Sequence, residues 1–240
     1  MKKRLDVLLV ERGLVGSRER ARALIMEGKA IVDKKPVDKA GEMIEESAEI
    51  KLTGQDFPYV SRGAIKLKAA IEHFGIELSG KTAMDVGAGT GGFTDYMLSM
   101  GVKKVYAVDV GYGQFDWRLR NDPRVVLIER TNIRYLPKEN ISEETDIIVI
   151  DVSFISLAKV VPKALEFLKP DGELVALIKP QFEVGKGEVG KGGIVRDEEK
   201  RLRAAASTRE ALEKCGLYTV GVIESPIKGQ KGNIEYLIYM

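Results

Sequence analysis

The sequence predicts an α/β protein in two parts: a small mixed α+β domain, then a larger domain built on a mostly parallel sheet. Three observations predict it. From residue 82 onward, apolar strand-length runs alternate with helical patterns. A cluster of turn formers, Thr53-Gly54-Gln55-Asp56-Phe57-Pro58-Tyr59, breaks the periodicity before that alternation begins. Ahead of the break lies a separate pattern of helix, turn, helix, strand, strand. The boundaries that follow are 1–56 for the small domain, 57–60 for a linker and 61–240 for the large domain. With 240 residues, of which 44% are hydrophobic, the chain can bury one ordinary core and one small one.

In the small domain Leu5, Leu8 and Leu9 recur at helical spacing until Gly13 to Gly16 interrupts them. Ser17 is then placed to cap a helix over Arg18 to Glu27, with Ala21, Leu24 and Ile25 facing inward and Arg18 and Arg22 outward at i, i+4. Gly28 ends it. Strands are expected at Lys29 to Val32 and Glu49 to Leu52, with Lys34-Lys35-Pro36 as a turn. Charge is unevenly spread here. Residues 1–35 hold ten Lys and Arg against five Asp and Glu, whereas residues 36–60 hold two against six. The net charge of +2 conceals that basic stretch. Arg4-Leu5-Asp6, Ser17-Arg18-x-Arg20-Ala21-Arg22 and Gly28-Lys29-Ala30-Ile31-Val32 together resemble the S4 RNA-binding fold. The resemblance implies RNA contacts from Arg4, Arg18, Arg20, Arg22, Lys29, Lys34 and Lys35, which would meet phosphates and add affinity more than sequence discrimination.

In the large domain Ser61 is placed to cap a helix that runs to Phe74, with Gly75 as its stop. Strands and helices then alternate: Thr82 to Val86, a helix from Gly91 to Met100, Val105 to Val110, Val125 to Glu129, Asp146 to Asp151, a helix from Leu157 to Leu168, and Glu173 to Lys179. A long helix over Glu198 to Cys215 precedes strands at Tyr218 to Ser225 and Ile234 to Tyr239. With no helix between them, those two strands form an antiparallel edge pair. The arrangement is similar to the Rossmann-like fold of class I methyltransferases. The glycine- and lysine-rich stretch Val184 to Gly193 reads as a mobile substrate loop.

Several function classes are excluded by composition. The longest apolar runs are strand-length, far below the ~20 residues of a membrane helix. The basic start is followed by an apolar run too short for a signal peptide. One cysteine, Cys215, cannot form an intramolecular disulfide, which points to the cytoplasm, and with the one histidine, His73, it cannot build a His/Cys metal site. No metal and no membrane partner are expected.

Met84-Asp85-Val86-Gly87-Ala88-Gly89-Thr90-Gly91-Gly92-Phe93 places Gly87-x-Gly89-x-x-Gly92 between a strand and a helix. Glycines there let the backbone turn sharply against a bound nucleoside, and Asp109 at the next strand end can accept from ribose hydroxyls. NAD and S-adenosylmethionine would both use that geometry. The acidic Asp85 and the crowded Gly89-Thr90-Gly91-Gly92-Phe93 resemble methyltransferase motif I, where the loop wraps an amino-acid tail. Phe93 is expected to pack, and Phe154 either to flank an adenine or to pack.

Strand ends of an open parallel sheet converge on one crevice, so residues far apart in sequence can meet there. Asp151 and Lys179 end two of those strands, Glu235 lies in the last strand and Lys66 one turn into the helix after Ser61. A lysine closing a buried apolar strand is costly unless a partner or a function holds it. Ser61-Arg62-Gly63-Ala64-x-Lys66-Leu67, Asp151-Val152-Ser153-Phe154, Ile178-Lys179-Pro180-Gln181-Phe182-Glu183 and Asn233-x-Glu235-Tyr236 resemble the TlyA (haemolysin A) branch of the FtsJ-type methyltransferases. That resemblance implies a catalytic tetrad of Lys66, Asp151, Lys179 and Glu235, and Asp151 and Asn132 as further cofactor contacts. It also implies Arg62 as an RNA contact, S-adenosylmethionine as the cofactor, and ribosomal RNA or a ribosomal subunit as the partner of a monomer or weak homodimer. The implied reaction is 2′-O-methylation, at cytidine.

A ribose hydroxyl is a poor nucleophile, so the chemistry asks for a base and in-line placement, and placement alone supplies roughly 7 to 11 kcal/mol. Lys179 is expected to contact the hydroxyl, Asp151 to orient Lys179 or the methyl, Lys66 to stabilise developing negative charge, and Glu235 to fix a lysine. A haemolytic toxin, an RNA-binding module with a degenerate enzyme domain and a dehydrogenase are the competing readings. The first lacks amphipathic membrane stretches, the second has an intact glycine loop and all four tetrad residues against it, and binding of NAD would mark the third.

Overall fold

A computed structural model describes residues 2–15, 18–26, 28–53, 58–185, 187–229 and 231–240, without the side chains of 19, 20 and 23. The chain forms two compact units, Met1–Pro58 and Tyr59–Met240.

The first unit runs β1 (Lys2–Arg4), α1 (Leu5–Glu11), α2 (Arg18–Met26), β2 (Ala30–Val32), β3 (Lys35–Val37), β4 (Met43–Glu45) and β5 (Ile50–Leu52). Leu5, Leu8 and Leu9 of α1 and Ala21, Leu24 and Ile25 of α2 close a core with Val32, Val37, Ile44 and Ile50. The strands form an antiparallel β1–β4 pair and a β3–β2–β5 sheet. Lys34-Lys35-Pro36 is not simply a turn. Asp33 and Lys34 both have positive φ, 47° and 68°, and make the two-residue turn whose twist suits a hairpin, so Lys35 and Pro36 already belong to β3. The expected cap at Ser17 lies outside the described residues.

The second unit opens with α3 (Gly63–Phe74), whose first turn is entered from Arg62 with no side-chain cap, so Ser61 does not cap it. Gly75, at φ 68°, ends it as expected. Then follow β6 (Thr82–Val86), α4 (Gly92–Ser99), β7 (Lys104–Val108), α5 (Trp117–Arg120), β8 (Val125–Ile128), β9 (Thr145–Ile150), α6 (Val161–Ala164), β10 (Leu168–Ile178), α7 (Pro180–Glu183), α8 (Glu198–Glu213), β11 (Gly221–Glu224) and β12 (Tyr236–Tyr239). The expected helix over 157–168 is broken into 3-10 turns on either side of α6. Pro162 sits at the start of α6, where its missing N–H is tolerated but a helix running through it is not.

The sheet order is β11-β12-β10-β9-β6-β7-β8. The strands from β10 to β8 are mutually parallel, and β12 runs antiparallel to both β10 and β11. Met84, Ile148, Ile150, Ala176 and Ile178 pack with Val161, Phe167 and Leu212 into one core. Strand order reverses beside β6, so the carboxyl ends of β6, β7, β9 and β10 open a crevice there. Ile178 pairs with Tyr236. An antiparallel strand starts where its parallel neighbours end, which brings Glu235 to the same edge as Lys179.

Candidate active site

A cleft of about 1060 Å³ lies along that edge, bordered by the 87–93 turn, Asp85, Asp109, Asp151, Lys66 and Lys179. The turn fits because of its glycines. Gly87, at φ 85°, leaves no room for a Cβ, which would overlap the Asp151 carbonyl, and a Cβ on Gly92 would overlap Ser61 Oγ. Ala88 and Phe93 are buried, and Phe93 packs close to Gly63. The Thr90 carbonyl accepts from the Asp116 amide at 3.2 Å. Gly91, at φ 95°, precedes α4.

Asp85 is fully buried at the end of β6. Its Oδ2 accepts from the Thr94 amide and hydroxyl at 3.0 and 2.7 Å, while Oδ1 has no partner among the described residues. Burial pushes its carboxyl up to about 7, against the Thr94 hydrogen bonds and with the help of Asp151. An orphaned carboxylate oxygen at the cleft wall suits a cationic donor. Asp109 accepts from Gly89 N at 2.7 Å through Oδ2, and from Gly111 N at 2.6 Å and Gln114 Nε2 at 3.1 Å through Oδ1. Three of its roughly four lone-pair positions are thus engaged, and one remains for a ribose hydroxyl. Asn132 borders the cleft, with its Oδ1 accepting from the Arg134 amide at 3.1 Å. Together the glycine cradle, the orphaned oxygen and the open position on Asp109 fit S-adenosylmethionine.

The tetrad residues form two ion pairs. Lys66 Nζ meets Glu235 Oε2 at 2.7 Å, both nearly buried. Lys179 Nζ lies 2.5 Å from Asp151 Oδ1. That contact is off the hydrogen-bond direction, and the ammonium donates instead to Ser153 Oγ at 2.9 Å. Lys66, Asp151 and Lys179 border the cleft, while Glu235 stands behind Lys66. Sequence reasoning did not single out three polar supports. Ser153 holds Lys179, and Gln181 donates to Glu235 Oε1 at 3.4 Å. Buried Asn233 accepts from Val195 N at 3.0 Å and donates to the Gly193 carbonyl at 2.8 Å, tying Gly193 and Val195 to the segment just before β12. All three lie inside quoted motifs, but only their partners reveal a role.

The basic residues of the first unit are arranged otherwise than as a free charged face. Arg4, Arg18 and Arg22 converge on buried Asp6: Arg4 in bidentate fashion at 3.0 and 3.1 Å, the other two at 3.1 Å each. These guanidiniums, Arg4 foremost, hold the Asp6 carboxyl far below its ordinary range. Lys34 and Lys35 are exposed and Lys29 is half-buried. The Arg20 side chain lies outside the described residues. Arg62 is exposed at the cleft border of the second unit.

Comparison with known proteins agrees with this architecture. The FtsJ-like methyltransferase family matches residues 59–240 and the S4 domain family matches residues 3–50. The chain is 45% identical to the 16S/23S rRNA (cytidine-2′-O)-methyltransferase TlyA of Mycobacterium tuberculosis, covering 99% of this chain and 89% of that protein. It is 43% identical to hemolysin A of Brachyspira hyodysenteriae, covering 98% of each. A solved structure of a hemolysin-named protein from Streptococcus thermophilus is 40% identical, with a TM-score of 0.78 over 99% of this chain and 87% of that one. An S-adenosylmethionine-dependent methyltransferase from Mesorhizobium loti, 16% identical, shares the fold of the larger unit, with a TM-score of 0.53 over 71% of this chain and 95% of that one.

Proposed function

The chain belongs to the FtsJ-like methyltransferases, and from that premise we propose that it methylates the 2′-hydroxyl of cytidine in ribosomal RNA through two cooperating ion pairs, Lys179–Asp151 and Lys66–Glu235. It is an S-adenosylmethionine-dependent enzyme. S-adenosylmethionine supplies an electrophilic methyl group on a positively charged sulfur. Asp85 and the 87–93 turn would hold its amino-acid end, and Asp109, with Asn132 nearby, its ribose.

The remaining demands fall on the tetrad. Lys179 contacts the ribose hydroxyl as the positioned base that takes its proton as the oxygen attacks the methyl group, and Asp151 beside it stabilises the resulting ammonium. Ser153 fixes the direction of the Lys179 side chain. Lys66, held by Glu235, is a preorganised cation for the charge that develops on the attacking oxygen. The N-terminal unit, Arg62 and the other basic residues bind the phosphate backbone. The partner is ribosomal RNA or a ribosomal subunit, met in the cytoplasm. No helix among the described residues is long and apolar enough to cross a membrane.

The observation that carries this reading is the gathering of both lysines and Asp151 on one cleft with the glycine turn. The test is to incubate the protein with labelled S-adenosylmethionine and each ribosomal subunit, then map the label. Methyl groups on cytidine ribose are expected; label on base atoms would refute the mechanism.

A further inference from the structure

A second pocket of about 390 Å³ opens beside the main cleft and shares Arg134, Phe154 and Ile155 with it. Ser156, Lys159 and Phe182 complete its lining, and no carboxylate is among them. Phe154 is 88% exposed, yet its backbone sits at φ 64°, a left-handed conformation that is unfavourable for a bulky residue. Burial does not offset that strain, because the ring stays in water. Its ring neighbour among the described residues is Phe182, with centroids 5.0 Å apart at 46°. A strained turn therefore holds an aromatic face open to solvent directly beside the reacting cleft.

Two cations border the same space. Arg134 donates through its Nε to Asn132 Oδ1 at 3.4 Å, and Lys159 is exposed. Neither makes an ion pair among the described residues. Aromatic faces next to uncompensated cations match the two halves of a nucleotide, a π-faced base and an anionic phosphate.

We propose that this second pocket is a subsite for the nucleotide adjoining the modified one, with its base stacked on Phe154 and Phe182 and its phosphate met by Arg134 and Lys159. The proposal rests on the main cleft being the ribose-methylating site. The Ser156 hydroxyl is the one polar side chain besides the two cations, and it already caps the Ala158 amide at 3.3 Å, so the subsite stacks without reading base identity. It therefore selects RNA whose neighbouring base is already unpaired or is splayed out on binding.

The test uses the full chain and its Lys159→Ala, Phe182→Ala and Phe154→Gly variants. The first probe is a short single-stranded RNA carrying 2-aminopurine on either side of one cytidine, and the second is methyl transfer to intact ribosomal subunits. On one side the fluorophore should be quenched by the parent protein, and Phe182→Ala should lose the quench and weaken binding about 5-fold or more. Lys159→Ala should weaken binding about 3- to 10-fold and lower the salt dependence by close to one phosphate contact. Both should keep the parent affinity for S-adenosylmethionine, which shows them folded. Phe154→Gly should weaken RNA binding without lowering the thermal midpoint, an outcome that a purely structural Phe154 would not give. With ribosomal subunits the same losses should appear in kcat/KM, and this arm decides if the short RNA binds too weakly. Parent-like RNA binding and kcat/KM in Lys159→Ala and Phe182→Ala would overturn the subsite while leaving ribose methylation standing. Loss of the quench in the variants with no ribose methylation by the parent would overturn the functional reading and leave the subsite.

Discussion

Lys66 and Glu235 are 169 residues apart in sequence and share one nearly buried ion pair at the cleft wall, so removing either leaves a charge there without its partner. Lys66→Ala and Glu235→Gln should each lower single-turnover methyl transfer about 100-fold or more, and the double variant should be little worse than either, because the two act as a unit. Additive losses would place them in separate roles. Lys179→Ala should remove about 10²- to 10⁴-fold, the usual worth of a positioned base, and near-normal transfer by this variant would reassign the contact with the hydroxyl. Asp85 gives a pH prediction. Burial raises its carboxyl to about 7, so across roughly pH 4 to 7 the folded protein holds a proton that the unfolded chain has released, and this group's contribution to stability falls as pH rises through that window. Pairing with the cofactor's ammonium needs the ionised form. Affinity for S-adenosylmethionine should therefore drop as pH falls below about 7, and Asp85→Asn should bind weakly with that dependence gone, as titration calorimetry across pH would report.

The glycine turn is where local geometry and cofactor space are set by the same backbone. Gly87→Ala would drive a Cβ into the Asp151 carbonyl at a positive φ, so it should cost about 1–3 kcal/mol in denaturant unfolding and abolish cofactor binding. Gly80→Ala, also at positive φ but with open space around it, should cost about 1 kcal/mol and leave cofactor affinity unchanged. Equal effects on binding would separate the cleft from the turn. The long elements of the larger unit could be read from sequence because each carries its own period: the β9 run Ile147–Ile150 is buried without interruption, and the 16-residue α8 starts at an Asp197 cap. The three-residue strands β1, β3 and β4 are too short for a period, and four-residue α5 and α7 hold a single turn each. The glycine motif and the Lys-Asp-Lys-Glu pattern were visible as residue types, and a meeting of Asp151 with Lys179 was among the expectations, but the choice of Lys66 as the lysine that Glu235 holds was not legible. It depends on β12 running against β10, which no local window encodes. Asp6 was hidden for the same reason. A carboxylate in a basic stretch reads as one compensating charge, whereas the fold makes it the anchor of three guanidiniums.

Taken over the full chain, positive charge is a matter of placement and not of amount, since the net charge is only +2. Lys34 and Lys35 stand on an exposed hairpin of the first unit, and the reacting groups all belong to the second. Contacts with phosphate made by that hairpin would be the same in the bound substrate and in the transition state, because no bond changes there. Such uniform binding lowers KM and leaves kcat alone. Reversing both charges with Lys34→Glu and Lys35→Glu should therefore raise KM for the ribosomal substrate about 10-fold or more near physiological salt. The slope of log affinity against log salt should shrink by about 0.7 to 0.9 for each phosphate that the hairpin no longer neutralises. The rate at saturating substrate and the affinity for S-adenosylmethionine should stay at parent values. A fall in that saturated rate would mean that the hairpin helps to shape the RNA for reaction, and an unchanged KM would remove it from the RNA-binding surface.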